Sequence, residues 1–108
     1  MSDARIHEEL LSLGVADNAA WCLSMWRLHG LGAQRTLGLV ACDGPPPPFY
    51  PNAMTLDPHA DLAAQTAWLG SLASDRGLAV KDSYAALDLA PHGFRPLFQA
   101  QWLARAAG

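Results

Sequence analysis

Apolar residues change their spacing several times along this chain, and each change predicts an element. Ile6, Leu10 and Leu13 recur at i, i+4 and i+7, one stripe of an amphipathic helix. Gly14 then predicts a stop and Asp17 a fresh N-cap, so residues 1–32 read as a helical segment in two pieces. In the second piece Trp21, Met25 and Leu28 share one face, with Cys22 and Trp26 beside it, until Gly30-Leu31-Gly32 breaks the pattern. Residues 36–42 read as a strand that is apolar on both sides. Leu37, Leu39 and Ala41 point one way and Thr36, Gly38, Val40 and Cys42 the other, which places the strand inside a covered sheet.

Asp43-Gly44 ends that strand, and Pro45-Pro46-Pro47-Pro48 cannot donate ladder hydrogen bonds, so a stiff polyproline II connector is expected. A short strand over 52–56 follows. Asp57-Pro58 then reads as N-cap and first helical residue of a long helix reaching about residue 76, with Leu62, Leu69 and Leu72 inward and Trp68 near the edge. Gly77 closes it, residues 78–80 form a short strand, and Ser83 caps a small helix that ends at Pro91-His92-Gly93. Over 94–104, Phe98, Ala100 and Trp102 alternate with Gln99, Gln101 and Leu103, the pattern of a half-buried strand. Helices interleaved with about four strands predict an α/β (α+β) domain: a mixed sheet with N-terminal helices and one long central helix. Residues 33–108 form its α/β portion.

Composition changes the picture in two ways. At 108 residues the chain suits one domain, and 51% hydrophobic residues exclude disorder as the default. Charged residues, by contrast, are only 16%, against about 25% in ordinary soluble domains. A surface so poor in charge exposes apolar groups, and a contact face is one outlet for them. The formal net charge of −3, with six scattered arginines and Lys81 as the single lysine, speaks against nucleic acid as a partner, which needs clustered cations. The acidic start differs from a signal peptide, no apolar run is long enough to span a membrane, and Cys22 and Cys42 stand in no redox or metal spacing. A cytoplasmic protein with two small core thiols is the expectation.

Candidate chemistry is sparse. His7, His29, His59 and His92 lie far apart, and none pairs at i+4 or with a cysteine, so no metal is expected. Cys42 ends a strand beside Asp43, a neighbour that disfavours the thiolate. Ser83 lacks the Gly-x-Ser-x-Gly elbow, and no phosphate-binding glycine turn leads into a helix. The remaining candidate is a small-ligand pocket near Asn52 and Lys81-Asp82-Ser83, where two strand ends meet.

The stretch PPPPFYPNAMTLDP, the helix ending in a glycine, the VKDS turn and GFRPLFQAQW together resemble the GNAT-type N-acetyltransferase family. More closely, Pro47 through Arg105 is similar to the non-catalytic GNAT-like domain that precedes an acetyltransferase domain in some bacterial proteins. The resemblance implies a GNAT-like sheet. It also implies where an acetyl-CoA site would lie, at an Arg/Gln-x-x-Gly-x-Gly/Ala turn between a strand and a helix. Here that turn reads Asp57-Pro58-His59-Ala60-Asp61, without glycine, with one N–H missing and with two carboxylates that repel pyrophosphate. The family's general-acid tyrosine falls on Leu89, with Tyr84 one turn earlier. The resemblance therefore implies the fold without the chemistry: no cofactor, no catalytic residue, and a role as an interaction or accessory module that pairs with itself or with an acetyltransferase domain. A divergent acyl-CoA-dependent N-acyltransferase, or half of one completed by a partner chain, is the alternative.

Overall fold

In the computed structural model, which describes residues 3–73, 77–97, 99 and 100, the first helix does not stop at Gly14. Helix α1 runs unbroken over Asp3–Leu28. A glycine stop needs a left-handed residue, and among the described glycines only Gly30, Gly38 and Gly93 have positive φ. Helical continuation past Gly14 costs about 1 kcal/mol relative to alanine. Burial of Val15, Ala19, Cys22 and Trp26 on one face outweighs that cost, the Trp26 side chain alone contributing about 2–3 kcal/mol. Asp17 is thus an exposed mid-helix residue and caps nothing at a helix start. Of the face shared by Trp21, Met25 and Leu28, Trp21 and Leu28 are exposed, while the neighbouring Cys22 and Trp26 carry the contact with the sheet. The helix ends as the glycine predicts. Leu31 N–H donates to Trp26 C=O at 2.9 Å and Gly30 N–H to Arg27 C=O at 3.0 Å, with Gly30 at φ 76°, the paired bonds of a Schellman motif.

The expected strand over 36–42 is a hairpin instead. β1 (Ala33–Thr36) pairs antiparallel with β2 (Leu39–Cys42) about Leu37-Gly38. Both turn residues have positive φ, 52° and 75°, as a two-residue type I′ turn requires. Leucine is an unusual choice there, and its conformation is held from outside: the Leu37 carbonyl accepts from Gln65 Nε2 at 2.8 Å. Gly38 cannot be replaced at no cost, because a Cβ would lie 2.9 Å from Ala60 Cβ as well as at a positive φ. β3 (Ala53–Thr55) adds antiparallel to β2, close to the expected strand.

Helix α2 (Leu62–Ala73) begins five residues after Asp57. Asp57 and Pro58 form a turn, with Asp57 Oδ1 accepting from His59 N–H at 2.8 Å. The N-cap is Asp61, whose Oδ1 accepts from Ala64 N–H at 3.1 Å. Leu69 and Leu72 face the sheet as expected, while Leu62 remains exposed. β4 (Val80–Lys81) pairs parallel with β3, beginning two residues and ending one residue later than expected. Among the described residues no α-helix follows Ser83. The chain turns and then makes a single 3-10 turn at Ala90–His92, closed by Gly93 at φ 86°. Of the strand expected over 94–104, residues 94–97, 99 and 100 are not in strand conformation, and the rest lies outside the described residues.

The described residues thus make a mixed four-stranded sheet in the order β1-β2-β3-β4 between two α-helices. Strand alternation divides the core. Val40, Cys42 and Met54 pack toward α1 with Ala19, Cys22 and Trp26. Leu39, Ala41 and Ala53 pack toward α2 with Leu69, flanked by Trp68, Leu72 and Val80. The two-sided apolar pattern of β2 is therefore met by a helix on each face. Both cysteines are buried, and neither is in a disulfide.

Candidate functional site

Parallel strands joined through a helix leave a crevice at their carboxyl ends, where ligands of open α/β sheets usually bind. Here the crevice lies between the ends of β3 and β4 and the first turn of α2, lined by Thr55, Asp57, Leu62, Gln65, Asp82 and Tyr84 among others. Its polar groups are spent on the fold. Thr55 Oγ1 accepts from Ser83 N–H at 2.8 Å, Gln65 holds the hairpin turn, and Tyr84 Oη donates to Leu56 C=O at 3.4 Å. Asp82 Oδ2 accepts from Leu87 N–H at 2.9 Å, but its Oδ1 is buried with no partner among the described residues. That acceptor is shut in, because the crevice has no room for a water-sized sphere.

The backbone at the β3–α2 turn is equally committed. Leu56 N–H and Asp57 N–H both donate to Gly38 C=O, at 2.8 and 3.2 Å. His59 N–H goes to Asp57, Ala64 N–H to the Asp61 side chain and Gln65 N–H to Asp61 C=O. Pro58 has none to give. An anion arriving here meets two carboxylates and few free donors, the reverse of a phosphate cradle.

The four residues expected to gather as a ligand pocket are only partly brought together. Asn52 lies at the opposite end of β3, where its N–H and Oδ1 bond the C=O and N–H of Ala79, both at 2.8 Å. It is a clamp between strands. Lys81 points to the α1 face, and its Nζ donates to Asn18 Oδ1 at 2.5 Å. Asp82 takes the α2 face, as alternation requires, and Ser83 is buried against Thr55. Lys81 also lies near Cys22. Burial pushes the Cys22 thiol up from 9.0, and the Lys81 ammonium pulls in the other direction.

A larger concavity of about 460 Å³ opens on the other side of the molecule, between the last turns of α1 and the edge strand β1. Leu23, Trp26 and Leu31 give it an apolar floor, and Arg27 and Arg35 stand at its rim. Sequence reasoning missed it because the two arginines are eight residues apart and meet only through the Schellman turn and β1. It also missed Phe49. Tyr50 N–H donates to Pro47 C=O at 3.2 Å, closing a turn with Pro48 and Phe49 at its centre. Phe49 has φ 72° and is fully exposed. Proline followed by a positive φ is the type II pattern, where glycine or asparagine is usual. Beside it Tyr50 Oη accepts from Trp21 Nε1 at 3.2 Å. The Pro48-Phe49 pair was the signal available for that turn.

Among the described residues no group of three or more His, Cys, Asp or Glu could hold a metal ion, and no helix is long and apolar enough to cross a membrane. No family model matches this chain, and no curated protein and no solved structure is significantly similar to it.

Proposed function

We propose that this chain is a non-catalytic, GNAT-like interaction or accessory module that associates with a second copy of itself in the cytoplasm. One observation carries the reading. The turn from β3 into α2, where a GNAT-type enzyme would hold the pyrophosphate of acetyl-CoA, gives its N–H groups to Gly38, Asp57 and Asp61 and presents two carboxylates outward. Leu89, at the place of the family's tyrosine, packs into the α2 side of the core. The exposed apolar surface of α1 and of Phe49 supports a contact role.

Thermal unfolding with acetyl-CoA and a longer acyl-CoA tests this. A ligand at about 100 times its Kd stabilises by about 2.7 kcal/mol, a shift of about 10 °C for a domain of this size. No shift is expected with either compound. A saturable rise in Tm would show an acyl-CoA site, which the proposed reading excludes, and would turn the question to the acyltransferase alternative.

A further inference from the structure

Helix α1 carries two apolar faces, and the fold uses one. Val15, Ala19, Cys22 and Trp26 lie on the sheet, while Ile6, Leu10, Leu13, Trp21 and Leu28 form a second stripe on the opposite side, 40–78% exposed. With 1.5 Å per residue the outer stripe is about 33 Å long. A face of this kind is usually covered by something, and the charges flanking it indicate what. Glu9 and Arg27 are eighteen residues apart, five turns of 3.6, so they stand on the same flank of the stripe near its two ends. Both are exposed. Glu9 has only a solvated i+4 contact with Arg5 at 3.5 Å, and Arg27 has no ion pair among the described residues.

We propose that the outer face of α1 packs antiparallel on α1 of a second copy, each Glu9 meeting the partner's Arg27. The inference rests on the reading of the chain as a self-associating module and gives it a surface and a register. A two-fold axis across the middle of the helix reverses direction but keeps each flank on its own side. Acidic and basic ends therefore meet on one flank, and the two helix dipoles oppose. Leu10 and Ile6 fall beside the partner's Leu28, and Leu13 beside the partner's Ser24 and Trp21. On the other flank the two Trp21–Tyr50 pairs, each with Phe49 next to Tyr50 in the chain, approach each other near the axis. Phe49 is held in a costly left-handed conformation with its ring wholly in solvent, and this contact gives that ring a place. Asp17, the charged group in mid-stripe, lies by the axis and faces its own copy. A single helix strip covers well under the roughly 800 Å² per partner of a standard interface, so the pair is weak and reversible.

Sedimentation equilibrium up to high micromolar concentration, on the wild type and charge variants, reads this directly. Glu9→Arg and Arg27→Glu are each expected to raise the dissociation constant about tenfold, and the double variant to restore it to within about threefold. Asp17→Asn is expected to tighten the pair. Mixed Glu9→Cys and Arg27→Cys proteins should form a disulfide with each other and neither with itself, while buried Cys22 and Cys42 stay out of the reaction. A monomer at every concentration would overturn the inference, as would a dimer indifferent to both reversals or a disulfide from Glu9→Cys alone. None of these outcomes bears on acyl-CoA, so the non-catalytic reading stands or falls by the thermal experiment.

Discussion

The two helices cover opposite faces of one sheet and are used very differently. α2 is short, and the fold consumes it: Leu69 is fully buried, Gln65 is tied to the hairpin turn, and its N-terminus is closed by Asp57 and Asp61. α1 is more than twice as long and, among its described side chains, buries none ahead of Val15, so about three turns carry apolar residues in solvent. A helix that only had to close a core would need the α2 pattern. The surplus on α1 is surface that the fold itself does not need, and it is where the proposed contact is placed. The crevice beside α2, where a cofactor would be sought, is filled by the fold's own bonds.

Removing side chains from the two faces of α1 tests that contrast most strongly. Trp26→Ala takes away a fully buried ring and its 3.2 Å bond to Pro51 C=O, and is expected to cost about 3–5 kcal/mol in urea unfolding. Leu13→Ala, two-thirds exposed, should stay within about 0.5 kcal/mol at concentrations where the chain is monomeric. Comparable losses at the two positions would mean that the outer stripe belongs to the core.

On the other helix, Gln65→Leu keeps the volume and leaves the Leu37 carbonyl without its donor, for an expected loss of about 1–3 kcal/mol. An unchanged denaturation midpoint would show that the hairpin turn holds its strained leucine without α2. The smallest effect concerns alkaline pH. The folded thiol of Cys22 titrates above its unfolded value of 9.0, so the native state retains a proton that the unfolded chain gives up. The stability tied to this proton is whole below pH 9.0 and declines as pH rises through the folded value. Cys22→Ala should flatten that decline, and a wild-type slope in the variant would assign it to another group.

How much of this was legible depended on whether a local signal had a local cause. The helix ending at Gly30, the strand at β3 and the inward Leu69 and Leu72 of α2 follow from backbone preferences and spacing, and they read correctly; Leu62, expected inward with them, stays exposed at the first turn. Gly14 and Asp17 carried equally clear local signals and were overridden, because the sheet beneath α1 offered more in Val15 and Trp26 than a helix break would give. The hairpin was invisible for a related reason: Leu37-Gly38 is a poor type I′ turn, and the Gln65 bond that supports it spans 28 residues. Asp57-Pro58 looked like a helix start, but Gly38 C=O takes the N–H groups of Leu56 and Asp57 and holds the chain in a turn until Asp61. At the candidate site, alternation alone would have separated Lys81 from Asp82, and the exposed Phe49 needed only the turn preference of its preceding proline.

The parallel pairing of β4 has a kinetic consequence. β1 and β2 are joined by two residues and β2 and β3 by ten, so their ladder forms from contacts closer in sequence than those of β4. β4 pairs with β3 through just two positions, Ala53 with Val80 and Met54 with Lys81, and only after the chain has returned through α2. Loop closure of that length must be met before the two-residue ladder rewards it. The order of assembly is then set by topology: the antiparallel meander first, β4 latched afterwards by the pair of hydrogen bonds between Asn52 and Ala79.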